Sequence, residues 1–146
     1  MILRIIGVLA LIVVAADLYI RLAPSDPVRW HRWDLPPMGA GDYPMPNGFV
    51  AVGGVAGPQV LARLDAIIMA TPRTSRLAGS VDAGMITYVT RSRLWGFPDY
   101  TTVRLTQRGE AWVLAIKGRS RFGKSDLGVN KARIDGWLAG ITLTKP

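Results

Sequence analysis

The first twenty residues hold the longest apolar stretch of the chain. Residues 2–20 are apolar except at Arg4 and Asp17. At about 1.5 Å of rise per residue, a helix of this length reaches roughly 28 Å, which matches the core of a bilayer. A short basic start and two alanines just before Asp17 are also typical of a cleavable signal peptide. Both interpretations stay open, and we favour an uncleaved transmembrane anchor over residues 1–21.

The charges around this segment bear on its orientation. Arg4 lies on one side, and Arg21, Arg29 and Arg32 lie close on the other, so a count of positive charges does not fix the topology. A short N-terminal tail before one apolar segment and a large C-terminal part is typical of a signal anchor. We therefore expect a single-pass protein of the bacterial inner membrane with its C-terminal domain in the periplasm. Asp17 is expected at the membrane interface or, alternatively, against a partner helix.

Proline and glycine dominate the segment after the anchor. Residues 21–58 hold seven of the ten prolines, a composition that sustains neither a helix nor a central strand. We therefore predict an extended tether over residues 22–57. Its Trp30 and Trp33 lie next to arginines and favour the lipid headgroup level, and the alternative that they pack on the domain or on a neighbouring subunit stays open. His31 has no second histidine or acidic cluster at ligand spacing, so no metal site is predicted.

Helix and strand periodicities alternate over residues 58–146, which are predicted to form one small domain. Residues 59–70 repeat apolar side chains at the spacing of one helical face. Three strand-like runs follow, at residues 85–93, 100–107 and 111–119. A last helix is expected to begin near Ser125 or Asp126, with Leu127 on its apolar side. The predicted fold class is α+β: an N-terminal transmembrane helix, then a three-stranded antiparallel sheet covered by two helices in the order α-β-β-β-α.

The connections set the predicted pairing of these strands. A two-residue turn at Arg108 and Gly109 joins the last two strands, and a longer connection with Leu94 opposite Asp99 joins the first two. This register gathers apolar side chains on one face of the sheet and basic side chains on the other. The basic face and the loop after it form the predicted anion or partner site, which consists of Arg91, Arg93, Arg104, Lys117, Arg119, Arg121, Lys124 and Ser125.

Composition excludes several chemistries. The chain carries 18 Lys and Arg against 10 Asp and Glu, a formal net charge of +8, with one histidine and no cysteine. The lack of cysteine excludes a disulfide scaffold, a cysteine zinc site, an iron–sulfur cluster and a thiol nucleophile. The basic charge suits anionic partners. An exported, membrane-tethered domain seldom meets nucleic acid, so nucleic acid is not expected among them.

Residues 118–125, GRSRFGKS, match the phosphate-binding pattern G-x-x-x-x-G-K-[ST]. A true P-loop needs a parallel βαβ sheet, whereas tight turns make the preceding strands antiparallel. We therefore interpret the match as coincidental and predict no cofactor. Only Ser120 or Ser125 beside Lys124 offers a nucleophile and a base. Because such surface pairs are common, we predict no catalytic residue and no enzyme activity.

Two segments share one order of residues, RSRLWGFPD at 91–99 and RSRFGKSD at 119–126. Their glycines permit turns and their aspartates hydrogen-bond local amides, which predicts a repeated structural corner. The longer segments TRSRLWGFPDYTTVRL and GRSRFGKSDLGVNKARIDGWL resemble a family of small bacterial and plastid proteins, domain of unknown function 1499, over roughly residues 55–141. The resemblance implies an envelope-exported or membrane-anchored protein and no established activity. The structural motif in these segments consists of Asp99, Gly123, Asp126, Gly128, Asn130 and Arg133.

These features predict the location and the partners of the protein and do not predict a reaction. We expect a single-span accessory or assembly subunit of an inner-membrane complex, such as a respiratory or other energy-transducing one. The bilayer and a larger integral membrane complex are its expected partners. The side chains expected to contact them are Asp17, Trp30, Trp33 and Trp95. The alternative is a membrane-tethered envelope domain that binds an anionic lipid headgroup, phosphate or glycan at the basic corner.

Overall fold

Helices and strands account for most of the chain in the computed structural model, which describes residues 1–144. The last two residues of the predicted domain, 145 and 146, lie outside the described residues. The helices are α1 (Ile2–Leu22), α2 (Pro27–Trp30), α3 (Gln59–Met69) and α4 (Val129–Leu138). The strands are β1 (Gly41–Met45), β2 (Gly48–Val55), β3 (Thr74–Ser80), β4 (Met85–Arg91), β5 (Pro98–Arg108) and β6 (Ala111–Ser120).

The six strands form one antiparallel sheet with the spatial order β1-β2-β6-β5-β4-β3. The predicted three-stranded sheet is therefore wrong. β4, β5 and β6 overlap the three predicted runs. β1 and β2 come from the segment predicted to be a tether, and β3 comes from a stretch with no predicted strand. Over residues 1–144, the sheet is accompanied by four helices, and two of them cover its apolar face.

Local features explain why the three additional strands escaped prediction. Pro44 lies in the edge strand β1, and edge strands tolerate proline. β2 contains no proline, but glycines such as Gly53 weaken its strand signal. A Cβ atom on Gly53 would clash with Leu143, so this glycine lets the C-terminal segment pack on the strand. β3 is the other edge strand, and it is mostly polar with an irregular register between Arg76 and Ala78.

The two predicted hairpins close in registers that differ from the predicted ones. Arg108 pairs with Ala111 across a turn that contains Gly109, which moves the partners by two residues. Arg91 pairs with Pro98, which moves the partners of the first hairpin by four. Gly109 has a φ of +61°, a left-handed conformation that favours glycine. Both shifts are even, and because side chains alternate between faces, the predicted apolar and basic faces persist.

The apolar face of the sheet lies under α3 and α4. α3 turns Leu61, Leu64 and Ile68 onto the sheet, and all three are fully buried, as the helical spacing predicts. α4 contributes Ile134 and Trp137 to the same core. The strand residues that complete this core are Phe49, Ala51, Ile86, Tyr88, Val103, Leu105, Leu114 and Ile116.

The start of α4 differs from the prediction. The helix begins at Val129, although the Asp126 carboxylate still accepts the backbone N–H of Asn130 at 3.0 Å. Leu127 lies before the helix with a φ of +51° and is 91% exposed. The expectation that Leu127 packs on the apolar side is therefore wrong, because a residue outside the helix does not follow its periodicity.

Candidate functional site

The second face of the sheet has neither α3 nor α4 on it, and we call it the open face. Residues 23–38, which we call the strap, cover it. Trp30 of the strap stacks on Tyr100 of β5, with ring centroids 3.8 Å apart and planes 7° from parallel. The Arg119 guanidinium lies 5.1 Å from the Trp30 ring centroid, and its Nη2 donates to the Trp30 carbonyl at 2.6 Å. Trp30 is therefore buried on the domain, which is one of the two alternatives for the tryptophans of this segment.

A buried ion pair fastens the next part of the strap. Lys117 of β6 is 1% exposed, and its Nζ donates to the Asp34 carboxylate and lies 5.4 Å from the Trp33 ring centroid. Burial lowers the pKa of Lys117, partly offset by Asp34, and the hydrogen bond from Lys117 lowers the pKa of Asp34. His31 Nδ1 lies 3.0 Å from the Thr87 hydroxyl. The strap is thus held by aromatic and charged contacts.

The loops at one end of the sheet contact the C-terminal end of α1, and we call this end the α1 end. Arg21 Nη2 donates to the Leu94 carbonyl at 2.7 Å, and its Nε pairs with Asp17 at 2.7 Å. The Tyr19 ring meets the Phe122 ring edge-on at 6.4 Å. These contacts fix α1 to both loops of the α1 end, which are residues 92–97 between β4 and β5 and residues 121–128 between β6 and α4.

α1 is long and apolar enough to cross a membrane, although a signal sequence near the N-terminus has the same length and composition. None of its residues is buried against the domain. Apolar side chains are also exposed at the α1 end: Leu94 is 73% exposed, Trp95 42% and Leu127 91%. These three side chains, which we call the apolar rim, therefore lie in the loops that contact the C-terminal end of α1.

A polar network lies behind this rim and joins β5, β6 and α4. The Ser120 hydroxyl donates to Asp99 at 2.6 Å and accepts from Asn130 Nδ2 at 3.0 Å. Arg133 Nη2 pairs with Asp99 at 2.8 Å, and Asn130 Nδ2 also donates to Asp126 at 2.9 Å. The structure thus brings together four of the six predicted motif residues, and Ser120 links them.

The glycines of the motif act on the backbone of the same corner. Gly123 has a φ of +90°, and Gly128, the residue before α4, has a φ of +80°. Gly118 lies inside β6, where a Cβ atom would come within 2.7 Å of Asn130 Oδ1. The first glycine of the P-loop-like pattern therefore lies in a strand, where it permits the close packing of β6 and α4.

Asp126 keeps its charge in this corner. Partial burial raises its pKa, but hydrogen bonds from Asn130 and from the Gly128 amide outweigh burial, so the pKa lies below the ordinary value. The Asp99 carboxylate is compensated by Arg133. Asp126 is therefore a carboxylate at neutral pH. It takes part in none of the ion pairs found among residues 1–144.

A cleft of about 370 Å³ opens between the two loops of the α1 end. Its lining combines aromatic and aliphatic side chains with two carboxylates and three hydroxyls. The lining residues are Ser92, Phe97, Asp99, Ser120, Phe122, Gly123, Ser125, Asp126, Leu127 and Val129. Sequence reasoning did not predict this cleft, because its walls come from two loops that only the tertiary structure brings together.

A groove of about 410 Å³ lies between the strap and the far end of the open face. Arg104 and Arg108 of β5 line it together with Trp33 of the strap. Its other walls are formed by Leu35, Pro36, Pro37, Met38, Val52, Thr106, Gln107, Val113 and Ala115. The groove therefore combines two guanidinium groups with an apolar surface.

The predicted basic site is dispersed in the structure. Arg91 Nη1 donates to the Gly96 carbonyl and Arg121 Nη1 to the Pro24 carbonyl. Lys117 and Arg119 hold the strap, as described above. Arg93 and Lys124 are exposed, Arg104 lines the groove, and the Ser125 hydroxyl accepts the Leu127 N–H at 3.2 Å. The eight residues thus serve several separate contacts, and no cluster of three or more metal-ligating side chains occurs among the described residues.

A family model described as a protein of unknown function, DUF1499, matches residues 49–141, which are 93 of the 146 residues. The resemblance seen in the sequence is confirmed. The matched region runs from β2 to the end of the core and includes the polar network and both loops of the α1 end. No curated protein and no solved structure matches the chain.

Proposed function

The chain belongs to the DUF1499 family of proteins of unknown function, and from this premise we propose that it is a single-span, non-catalytic accessory or assembly subunit of a larger integral membrane complex. In this proposal α1 is an uncleaved anchor in the bacterial inner membrane, and the sheet domain lies in the periplasm. The observation that carries the proposal is the attachment of the domain to the C-terminal end of α1.

The attachment has a consequence for the surface of the protein. Arg21, Tyr19 and Phe122 fix the domain to the end of the helix, while none of the residues of α1 is buried by the chain itself. Most of the apolar surface of the helix is therefore exposed and would face lipid or a partner helix. The exposed rim at the α1 end lies at the level of the headgroups, where a membrane partner would also be met.

The polar groups of the corner support a structural role for them. Ser120 is held between Asp99 and Asn130, and Ser125 accepts a backbone N–H of its own turn. A serine nucleophile needs a base that takes its proton. Here the Ser120 hydroxyl already donates to a carboxylate that is paired with Arg133, which favours a network that supports the loops.

The test is purification from native membranes in a mild detergent, followed by native gel separation and mass spectrometry. We expect the chain to migrate with a larger membrane complex in a fixed stoichiometry. A photo-crosslinking residue in place of the exposed Leu94 should join the chain to a partner, and the same residue in place of the exposed Ala111 at the far end is the control. Recovery of the chain as a lone monomer, without crosslinks from either position, would contradict the proposal.

The second candidate function is binding of an anionic ligand, and the groove is the observation that favours it. Arg104 and Arg108 face an apolar surface there, an arrangement that suits an anion with an apolar body. Phosphorus NMR of hexyl phosphate added to the full chain tests the idea. Arg104→Gln should abolish the signal change, and Arg63→Gln, an exposed residue on α3, should keep it. An equal response from both variants would exclude the groove.

A further inference from the structure

The cleft at the α1 end lies where a bilayer surface would be. Its wall residue Phe122 contacts Tyr19 in the last turns of α1. Leu127, at its mouth, is 91% exposed, and Leu94 in the neighbouring loop is 73% exposed. Exposure of such large apolar side chains is unfavourable in water but favourable at a membrane interface. The cleft therefore lies next to the C-terminal end of α1.

The charged side chains that line the cleft are negative, whereas the chain as a whole is positive. Among the described residues that line it, two are aspartates and none is a lysine or an arginine, although the formal net charge of the chain is +8. The arginines of the adjoining segment turn away, because Arg119 donates to Trp30 and Arg121 to Pro24. The cleft thus offers carboxylate and hydroxyl acceptors in a wall of apolar side chains.

The two aspartates differ in what they offer. Asp99 is paired with Arg133 and accepts from Ser120. Asp126 receives only uncharged N–H donors, from Asn130 and Gly128. A cation that enters the cleft would therefore gain most at Asp126, where a charge-assisted hydrogen bond is available.

We propose that this cleft binds a bilayer phospholipid whose headgroup ends in a primary ammonium, with the ammonium at Asp126 and the apolar part of the lipid along Phe97, Phe122 and Leu127. Phosphatidylethanolamine has this chemistry. The inference rests on the membrane anchoring proposed above, but it holds with or without a protein partner. A lipid in the cleft would give the domain a second attachment to the membrane, in addition to α1.

The experiment is native mass spectrometry of the full chain in detergent with an equimolar mixture of phosphatidylethanolamine, phosphatidylcholine and phosphatidylglycerol. We expect the ethanolamine lipid to be retained about tenfold over the other two, the ratio given by the lower end of the range for one hydrogen bond to a charged group. Asp126→Asn should bring the ratio close to one. Asp82→Asn is the matched control, because it removes the same charge from an exposed turn at the far end of the sheet. Lipid around α1 binds without this dependence on Asp126.

A second variant tests the same site in case Asp126→Asn does not fold. Leu127→Lys places a cation at the mouth of the cleft, and the side chain that it replaces is almost fully exposed. We expect it to reduce retention of the ethanolamine lipid to the level seen with Asp126→Asn. Equal retention of the three lipids by the unchanged chain, a preference for phosphatidylglycerol, or an unchanged preference in both variants would overturn the proposal. Release of the chain from membranes by carbonate would instead contradict the membrane anchoring. Failure of the lipid site can therefore be distinguished from failure of the anchor.

Discussion

The two faces of the sheet are covered in different ways. On the apolar face, α3 and α4 bury aliphatic and aromatic side chains such as Leu64, Leu114 and Ile134, all of which have no exposed surface. On the open face, the strap is held by the stack of Trp30 on Tyr100 and by the pair of Lys117 with Asp34. The first kind of contact is non-directional and grows with the buried area. The second depends on a few geometries and on charge.

The difference indicates which parts of the molecule separate most easily. The core under the helices is continuous, so one truncation there weakens the whole domain. The strap is a single segment that contains only the short helix α2 and makes few contacts. We therefore expect its release to expose the open face without unfolding the core. The open face also carries the groove, and the strap forms one of its walls.

The largest effect is expected from a cavity in the apolar face. Leu114→Ala removes a fully buried side chain, and such truncations lower the free energy of unfolding by about 2–5 kcal/mol. Urea unfolding of the full chain in a mild detergent, followed by tryptophan fluorescence, measures the change. Val28→Ala, at a residue that is 84% exposed, is the control and should change the free energy by less than about 0.5 kcal/mol. Equal effects of the two would contradict the burial of Leu114 in the core.

The next effect concerns the strap alone. Trp30→Ala removes the stack on Tyr100 and the surface under Arg119, which should destabilise the closed strap by about 1–3 kcal/mol while the core stays folded. Trypsin cleavage after Arg29 and Arg32 should accelerate about tenfold. Trp95→Ala changes the same residue type at a 42% exposed position and should leave the cleavage rate unchanged. Slow cleavage in both variants would show that the strap does not depend on the stack.

A smaller effect is expected from the ion pair. Asp34→Asn leaves the ammonium group of Lys117 buried without its carboxylate, which is unfavourable. Asp34 is 48% exposed, so solvent screening limits the loss to about 1 kcal/mol. Addition of Lys117→Met to the Asp34→Asn variant should recover the lost stability, because no charge is then buried at this position. A double variant as unstable as Asp34→Asn would argue against this account. Urea unfolding of the unchanged chain and of the two variants makes the comparison.

The smallest effect is a dependence on pH. The hydrogen bond from Lys117 holds the pKa of Asp34 below 3.8 in the folded chain, whereas the unfolded chain has the ordinary value. Between the two values the unfolded state binds more protons, so stability rises with pH. The contribution is complete above pH 3.8 and is lost as the pH falls through the folded pKa. Asp34→Asn should flatten this acid limb by less than about 1 kcal/mol, and acid unfolding curves that coincide would contradict the assignment.

Helical and strand periodicity predicted the core elements well. The apolar spacing of residues 59–70 corresponds to α3, and three alternating runs correspond to β4, β5 and β6. The hairpin registers were displaced, but by even numbers of residues, so the apolar face was assembled from the expected side chains. Periodicity reports which face a residue occupies and does not report its partner across the sheet.

The candidate site was much less predictable. The basic residues form a set in the sequence, yet they are distributed among the strap, the loops and the groove, because three of them meet a carbonyl or carboxylate distant in the chain. Arg119, for example, meets a carbonyl 89 residues away, and Lys117 meets a carboxylate 83 residues away. The cleft required two loops to meet. The shared order of residues in those loops was the one signal in the sequence that associated them.

The sequence alone determined the apolar N-terminal helix and the division of three strands into an apolar and a basic face, because these depend on composition and on local periodicity. It also determined the family, through the resemblance of two motif-bearing segments. Only the tertiary structure decided that β1, β2 and β3 extend the sheet, that the proline-rich segment packs as a strap, and that an acidic cleft opens beside a basic motif. Strand addition, strap packing and cleft formation depend on contacts between residues distant in the chain. The free energy of such contacts is set by geometry and burial, which a local pattern of residues does not record.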